Sequence, residues 1–270
     1  MNFTVLLPIY QRDDLENMFM EVIESIYKNT LIPSQLIILI DGHLNHSFQM
    51  KVENLKNRFG YDLFQPNHKM GLSSILNEGI KLSANEWIVR ADGDDINLTN
   101  RFEILVKYMQ KNYDLIGSHV IEINKSNNKK IIKKLPLNFN EIKNFSKIRN
   151  PFNHMSVAFK KSAVMNLNFY PDLYLKEDYG LWIKFISSNK YRVINIPDAL
   201  VMVSANNDMY IRRGGLKYLK SEFELFKFKN SHHIHNFYEG IFIFFLRTTF
   251  LLDPNFIKIL TYKAFLRKLY

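Results

Sequence analysis

The chain contains 270 residues and carries a formal net charge of +10; 47% of its residues are hydrophobic, 23% are charged and none is cysteine. This composition excludes a disordered chain, a collagen-like fibre and a disulfide-stabilised secreted module, and the length suits one large domain or a domain with an appendage. Without cysteine, thiolate nucleophiles and Cys-ligated zinc are excluded too. The positive charge favours anionic partners: phosphorylated ligands, acidic lipid headgroups or nucleic acid.

The N-terminus and the longest apolar stretch indicate where such a chain resides. Met1 to Tyr10 lacks the basic flank and long apolar run of a signal peptide, and its alternating pattern is typical of a strand. The apolar stretch from Ile241 to Leu252 is interrupted by Arg247 and is shorter than the ~20 residues that span a bilayer. We therefore expect a cytoplasmic protein without a transmembrane helix.

The first hundred residues alternate between short apolar runs and segments of helical periodicity. We predict strands at Val5 to Tyr10, Gln35 to Ile40, Tyr61 to Phe64 and Glu86 to Arg90, and helices at Leu15 to Asn29, Gln49 to Arg58 and Ser73 to Leu82. This order favours an α/β fold with a mainly parallel sheet and helices on both faces. Ligands bind beyond the carboxyl ends of the strands in such sheets. Acidic segments follow two of the strands, at Asp41 and at Asp92.

The remainder of the chain has a mixed pattern. We predict helices at Arg101 to Asn112, Tyr179 to Ser188 and from Leu216 onward, and strands at Leu115 to Ile123, Ser156 to Phe159 and Arg192 to Ile196. The lysine-rich segment Asn124 to Lys134 is typical of a solvated hairpin or loop, and it lacks the interleaved aromatic residues that would support nucleic-acid binding. The basic, aromatic segment from Phe237 to Tyr270 suits either packing against the core or a membrane interface with anionic lipids.

Asp92-Gly93-Asp94-Asp95 is the segment most informative about chemistry. In an extended backbone, Asp92 and Asp94 point to the same face and converge on one hard cation, while Gly93 permits close approach of a ligand. Mg²⁺ is commonly held by one or two carboxylates together with substrate phosphates, which implies a nucleotide or diphosphate ligand. The alternative is an acidic turn in which Asp95 or Asn97 caps the next helix.

Two further segments suit the binding of a nucleotide. Asp41 can accept a hydrogen bond from a nucleobase N–H or a ribose hydroxyl, although an Asp-Gly pair also forms plain turns. Lys69 and Gly71 precede a predicted helix, and the positive end of a helix dipole is a site at which phosphate can bind. Such loops also occur without ligands.

Three polar segments in the second half of the chain are similarly ambiguous. Glu177 and Asp178 start a predicted helix, where acids either cap the helix or supply a general base that removes a proton from a hydroxyl. Arg212 and Arg213 stand beside glycine and suit phosphate, because guanidinium binds phosphate in bidentate fashion. A solvated basic turn fits them equally well. Asn153-His154 is polar and distinctive but has no single interpretation.

Taken in order, these segments resemble the family 2 inverting glycosyltransferases of GT-A type, particularly those of bacterial amylovoran and O-antigen biosynthesis. The resemblance covers most of residues 3 to 220. It rests on Val5 to Tyr10, Ile38 to Gly42, Asn67 to Ser73, Leu76 to Gly79, Arg90 to Asp95, Asn150 to His154, Glu177 to Trp182 and Arg212 to Gly215. It implies a Rossmann-like GT-A domain at 1–215, in which 1–100 bind the nucleotide and 101–215 the acceptor, followed by a basic aromatic helical extension at 216–270.

The resemblance also implies roles for individual residues. The residues implied to bind the nucleotide sugar are Pro8, Tyr10, Asp41, Lys69, Gly71, Arg90, Asp92 and Gly93. Asp94, together with Asp92, is implied to hold Mn²⁺ or Mg²⁺. Asp178 is implied to be the catalytic base, with Glu177 beside it. The residues implied to bind the acceptor or a diphosphate are His154, Arg212 and Arg213.

The expected activity is transfer of one hexose, glucose or galactose, from a UDP-sugar to a lipid-diphosphate-linked saccharide in O-antigen or capsular or exopolysaccharide biosynthesis. The Gln-x-x-Arg-Trp motif of processive members is absent from the sequence, so we expect a single addition. Contact with the cytoplasmic face of the bacterial inner membrane is expected, and a nucleic-acid partner is not. Two alternatives stay open: a nucleotidyltransferase that makes a nucleotide sugar, and a non-catalytic basic module that binds lipid or nucleic acid.

Overall fold

The structure is a computed structural model that describes residues 1–124, 129–205 and 215–248. The first part of the chain forms β1 (Phe3–Ile9), α1 (Asp13–Tyr27), β2 (Gln35–Ile40), α2 (His46–Phe59), β3 (Asp62–Phe64), α3 (Leu72–Leu82), β4 (Trp87–Arg90) and β5 (Ile96–Asn97). The second part forms α4 (Arg101–Met109), β6 (Leu115–Asn124), β7 (Lys130–Lys133), α5 (Phe139–Ile148), a 3₁₀ turn (His154–Ser156), β8 (Ala158–Lys160), α6 (Lys161–Asn166), α7 (Glu177–Ser187), β9 (Val193–Ala205), α8 (Gly215–Ser231) and α9 (Phe237–Thr248).

One sheet with the strand order β3-β2-β1-β4-β8-β6-β9-β5 runs through the described part of the molecule, and β7 pairs with β6. The pairs β1–β2, β1–β4, β2–β3 and β6–β9 are parallel. Strand β8 is antiparallel to both of its neighbours, β4 and β6, so β4 and β6 share a direction. The prediction of a mainly parallel sheet in an α/β fold is therefore confirmed.

Apolar side chains fill both faces of this sheet. On one face, α1 packs against α2 through Phe19 and Phe48, whose ring centroids lie 5.4 Å apart. On the other face, α7 packs Trp182 against Phe152, with centroids 5.5 Å apart. Strands covered on both faces are expected to be continuous apolar runs, which is the pattern that β1 and β2 show.

Several elements differ from the prediction. The sequence analysis did not predict β5, α5 or α6, and β9 continues past the predicted end at Ile196 to Ala205. Helix α5 has apolar residues at helical spacing, with Ile142 and Phe145 buried, so its pattern was present in the sequence. A start signal is also present, because Asn138 accepts a hydrogen bond from the backbone N–H of Glu141 and the Glu141 carboxylate accepts one from the N–H of Leu137.

The lysine-rich segment forms the predicted hairpin as far as it is described. Strand β7 pairs antiparallel with β6, and Lys130 to Ile132 are exposed. Lys125 lies outside the described residues. Helices α8 and α9 confirm a helical extension up to Thr248, whereas 249–270 lie outside the described residues. In the described ranges, no helix combines the length and the hydrophobicity needed to cross a bilayer.

Candidate active site

Strands β1, β2 and β4 end side by side at one edge of the sheet, hereafter the carboxyl edge. The backbone N–H of Asp41 donates to the carbonyl of Ile9 at 2.8 Å, and the N–H of Ala91 donates to the carbonyl of Leu6 at 3.0 Å. Pro8 lies in β1, opposite Leu39 of β2. The segments that follow β2 and β4 therefore lie on either side of the end of β1, where ligands of open parallel sheets bind.

The loop before α3 closes on Asp41. The buried Asp41 carboxylate accepts hydrogen bonds from the backbone N–H groups of Met70, at 2.7 Å, and Gly71, at 3.1 Å. Gly71 has a φ of +87°, a conformation that favours glycine. The Lys69 ammonium lies 5.5 Å from the centroid of the Tyr10 ring. Four of the residues predicted to bind nucleotide sugar thus lie together, and Asp41 also holds the loop.

Arg12 is a residue of the carboxyl edge that the sequence analysis missed. Its guanidinium donates to the Tyr10 hydroxyl at 2.9 Å and forms ion pairs with Asp14 and with Asp94, the latter at 2.5 Å. The signal available in the sequence was a cation placed two residues after Tyr10, just beyond the end of a strand. It could not be paired with Asp94 without knowing that β1 and β4 are neighbours.

The acidic segment after β4 does not have the extended backbone that the sequence analysis assumed. It turns at Gly93 and Asp94, and Asp95 is buried. Burial, followed by the charges of Asp92 and Asp94, raises the pKa of Asp95 well above its ordinary value. Burial and the charge of Asp92 likewise raise the pKa of Asp94. The prediction of an extended backbone is wrong because the backbone N–H of Asp95 donates to the carbonyl of Asp92 at 3.4 Å, which closes a turn, yet the carboxylates still crowd one another.

This crowding bears on whether the residues fit a divalent metal. Asp92 pairs with the buried Arg90 at 2.5 Å, and both Asp92 and Asp94 keep part of their side chains exposed at the carboxyl edge. In the described ranges, no group of three or more His, Cys, Asp or Glu side chains gathers around one point. A pair of carboxylates suits a Mg²⁺ or Mn²⁺ ion whose other ligands are substrate phosphates and water. The acidic pair therefore fits the predicted metal.

The atoms packed around Gly93 leave no room for a side chain. A Cβ atom there would approach Cγ2 of Ile9 at 2.9 Å and Cδ2 of Leu15 at 3.2 Å. These contacts are closer than carbon atoms pack, so the glycine lets the acidic turn lie directly on β1 and α1. The predicted contact of Gly93 with a ligand stays a prediction.

The second group of functional residues, Glu177 and Asp178, occupies the first turn of α7 and is called here the α7 acids. The side-chain amide of Asn150 donates to Oδ2 of Asp178 at 2.6 Å, and the backbone N–H of Tyr179 donates to Oδ1 at 2.7 Å. Burial and the charge of Asp178 raise the pKa of Glu177 to about 7. Neither acid occupies the N-cap position, which is Lys176. Capping alone therefore does not explain the pair.

His154 lies between the carboxyl edge and α7. Its Nε2 is 2.9 Å from the Tyr170 hydroxyl, and its ring meets Trp182 edge-on at 6.0 Å. Burial and the charge of Arg90 lower the pKa of His154 well below its ordinary value, so the ring is neutral at pH 7. The Arg90 charge also acts on Glu177, where it lowers the pKa. The residues predicted after β4 and those on α7 thus lie within electrostatic range of one buried arginine.

The remaining predicted site residues, Arg212 and Arg213, lie outside the described residues. Asn150, which donates to Asp178, belongs to a segment that carried the resemblance, but no role for it was predicted from the sequence.

Comparison with known structures defines the class of protein. The fold matches the crystal structure of residues 1–349 of S. aureus TarS in complex with UDP-GlcNAc, with a TM-score of 0.70 at 14% identity over 92% of this chain and 72% of that one. The sheet, with acidic residues at its carboxyl edge, is a GT-A-type glycosyltransferase fold.

Comparison of sequences defines the family. The model of glycosyl transferase family 2 matches residues 4–172. The amylovoran biosynthesis glycosyltransferase AmsE of Erwinia amylovora is 33% identical over 93% of this chain and 94% of its own length. The UDP-Gal:alpha-D-GlcNAc-diphosphoundecaprenol beta-1,3-galactosyltransferase of Escherichia coli is 39% identical over 82% of this chain and 80% of its own length. The chain belongs to glycosyl transferase family 2, and it is a glycosyltransferase rather than a nucleotidyltransferase or a non-catalytic module.

Proposed function

We propose that this glycosyltransferase transfers one hexose, galactose or glucose, from a UDP-sugar to a saccharide linked to a lipid diphosphate. The product would enter O-antigen, capsular or exopolysaccharide biosynthesis at the cytoplasmic face of the bacterial inner membrane. The observation that carries the proposal is the placement of the carboxyl edge and the α7 acids around Arg90. The name of the Escherichia coli relative, which specifies a UDP-galactose donor and a diphosphoundecaprenol acceptor, supports the choice of substrates.

On the donor side, Asp92 and Asp94 would hold Mn²⁺ or Mg²⁺. When bound, the metal supplies a Lewis acid that stabilises negative charge on the departing nucleoside diphosphate. Asp41 and the loop that it holds receive the nucleoside, and Lys69 faces the same edge as Tyr10. Arg12 brings a second cation to Asp94, so the donor diphosphate would meet positive charge from the protein as well.

On the acceptor side, Asp178 acts as the general base. The acceptor hydroxyl oxygen attacks the anomeric carbon, its proton passes to Asp178, and the bond from that carbon to the diphosphate oxygen breaks with its electron pair leaving on UDP. Attack from the opposite face inverts the configuration. Asn150 orients the base through its hydrogen bond to Oδ2 of Asp178. His154, whose Nε2 lies 2.9 Å from the Tyr170 hydroxyl, would contact the acceptor.

Contact with the membrane is proposed for the outer face of α9. Tyr238, Phe242 and Phe245 are 82%, 69% and 61% exposed and follow one another at helical spacing, so they form a single aromatic stripe. Phe223 of α8 extends this apolar surface by contacting Phe244, with ring centroids 5.9 Å apart. The chain carries net positive charge, which suits a surface of anionic lipid. A lipid-linked acceptor resides at such a surface.

Donor turnover tests the proposal. Purified enzyme is assayed with Mn²⁺ or Mg²⁺, UDP-galactose, UDP-glucose, UDP-GlcNAc or GDP-mannose, and a lipid-diphosphate GlcNAc acceptor. We expect transfer from a UDP-hexose, a loss of about 100-fold or more in kcat for Asp178→Asn with UDP binding retained, and loss of metal-dependent UDP binding for Asp94→Asn. Asp62→Asn, an exposed aspartate at the start of β3, is the control. Turnover only with GDP-mannose, or full activity of Asp178→Asn, would contradict the assignment.

A further inference from the structure

The turn that carries the α7 acids has an unfavourable backbone. Leu175 has a φ of +56°, in the left-handed region that residues with a side chain disfavour. Within the turn, the backbone N–H of Lys176 donates to the carbonyl of Leu173 at 2.9 Å. A turn of this kind persists only where the surrounding structure determines its conformation. The side chains that hold it come from α8, which α9 contacts through Arg247; the two helices are called here the C-terminal helix pair.

Helix α8 contacts the turn at Tyr174 and at Lys176. The Ser221 hydroxyl donates to the carbonyl of Tyr174 at 2.7 Å. The Lys176 ammonium donates to the Tyr218 hydroxyl at 2.7 Å and forms an ion pair with Oε1 of Glu222 at 2.8 Å. Lys176 and Glu222 are both buried, so this pair is poorly screened by solvent. Lys176 directly precedes the α7 acids.

Helix α9 extends the same network to the residue that orients the base. Arg247 grips Glu222 with two guanidinium nitrogens, at 2.7 and 2.8 Å, in a bidentate geometry. Its third nitrogen donates to the carbonyl of Ile148 at 2.5 Å. Ile148 ends α5, and Asn150, which donates to Asp178, follows two residues later. Glu222 and Arg247 thus link the turn before α7 to the segment that holds Asn150.

A second connection runs parallel to the first. The buried Lys229 ammonium donates to the carbonyl of Lys147 at 2.8 Å and to the Tyr179 hydroxyl at 2.7 Å. The Tyr179 hydroxyl in turn donates to the carbonyl of Ser146 at 2.7 Å. The C-terminal helix pair therefore grips both α5 and the first turn of α7, on the two sides of Asp178.

We propose that the C-terminal helix pair is part of the catalytic apparatus: Glu222 and Arg247 act as positioning residues that keep Asn150 and Asp178 in register for proton removal. The proposal rests on the proposed function, in which Asp178 is the base. Both helices lie outside residues 4–172, which the family model matches, so the inference concerns a part of this chain that family membership does not describe.

A ladder of variants tests the proposal. Arg247→Met removes every contact of the guanidinium, whereas Arg247→Lys restores the positive charge without the bidentate geometry. Tyr218→Phe removes the single hydroxyl that accepts a hydrogen bond from Lys176. The matched control is Glu239→Gln, which breaks the partly exposed pair of α9 with Lys147. The measurements are kcat and KM for the donor, UDP affinity, and hydrogen exchange of the amides in 173–180.

If the base is misplaced, the enzyme loses kcat but keeps its affinity for the nucleotide. We expect Arg247→Met to lower kcat by about 10- to 100-fold, with UDP affinity within about twofold of the wild type and with faster exchange at 173–180. Arg247→Lys should recover part of the lost kcat. Tyr218→Phe should lower kcat about threefold, and Glu239→Gln should have the kcat of the wild type.

Two outcomes would overturn the proposal. One is unchanged kcat and exchange in a folded Arg247→Met; the other is parallel loss of kcat, UDP affinity and thermal stability, which indicates support of the whole fold. If Arg247→Met does not fold, Tyr218→Phe is the deciding variant. A Tyr218→Phe enzyme with the kcat and the hydrogen exchange of the wild type would refute the proposal. A wild type inactive on every donor refutes the proposed function instead, and exchange at 173–180 still decides whether the helix pair holds the turn.

Discussion

The carboxyl edge and the α7 acids are built in different ways. At the carboxyl edge, the residues follow strand ends, and neighbouring strands bring Tyr10, Asp41 and Asp92 together through the register of the sheet. The α7 acids begin a helix, and their geometry depends on Asn150 after α5 and on side chains from α8 and α9. Substitutions in the first region should therefore change nucleotide binding, and substitutions around the second should change the rate of transfer.

The strongest test of this contrast is Arg90, which belongs to both regions. Arg90 is buried, pairs with Asp92 and acts electrostatically on Glu177. Because its removal takes the compensating charge from the partly buried Asp92 and the buried Asp95, Arg90→Met should lower the free energy of unfolding by about 3–5 kcal/mol and abolish transfer.

Urea unfolding measures the loss of stability in Arg90→Met. The control is Arg58→Met, which removes an exposed arginine from a pair with Glu24 at 3.6 Å and should cost less than about 1 kcal/mol. If the two substitutions lower the free energy of unfolding equally, Arg90 does not link the carboxyl edge to the α7 acids.

A matched pair of substitutions separates the two regions. Asp41→Ala removes the acceptor of two backbone N–H groups in the loop before α3, and we expect UDP affinity to fall by about tenfold or more. Asn150→Ala removes the donor to Asp178, and we expect kcat to fall by a similar factor with UDP affinity unchanged. Calorimetric UDP titration and initial rates measure the two effects. If both variants lose affinity and rate together, the regions are not separable.

The α7 acids also predict a pH dependence of stability. In the folded state the pKa of Glu177 is about 7, above its ordinary value of 4.5. Between these values the unfolded chain loses its proton before the folded chain does, so the contribution of Glu177 to stability is full below pH 4.5 and is lost as the pH rises toward 7. Glu177→Gln removes this loss and should stabilise the protein more at pH 7 than at pH 5.

Urea unfolding of the wild type and of Glu177→Gln at both pH values measures this difference. Glu103→Gln is the control, because the exposed Glu103 pairs with Lys107 and its pKa is lowered rather than raised. A difference between wild type and Glu177→Gln that does not change with pH would show that Glu177 is ionised throughout the range.

The contrast between the regions also explains what could be predicted from sequence. The strand ends that carry Asp41 and Asp92 were predictable, because apolar runs locate strands and parallel strands end at a common edge. The pair of Arg12 with Asp94 was not, since it joins residues 82 apart and depends on β1 lying next to β4. Glu222 and Arg247 gave no local signal, because charged residues on a helix are ordinarily exposed. Burial of Asp95 likewise overrode the extended backbone that its neighbours suggested.

The smallest expected effect concerns the two faces of α9. The inner face carries Arg247 to Glu222 and to the carbonyl of Ile148, while the outer face carries the aromatic stripe proposed to contact lipid. Phe242→Ser removes one ring from that stripe, and burial of a Phe side chain is worth about 1.5–3 kcal/mol, of which a partly inserted ring loses a fraction. We therefore expect about three- to tenfold weaker co-sedimentation with anionic liposomes and an unchanged kcat on a water-soluble acceptor.

Ile32→Ser is the control for Phe242→Ser, because Ile32 is an exposed apolar side chain in the loop between α1 and β2. If both variants bind liposomes as well as the wild type does, the outer face of α9 does not contact the membrane. A fall in kcat on the soluble acceptor with Phe242→Ser would have a different meaning. The two faces of α9 would then be coupled, and lipid contact on one side would act on the base through Arg247 and Glu222 on the other.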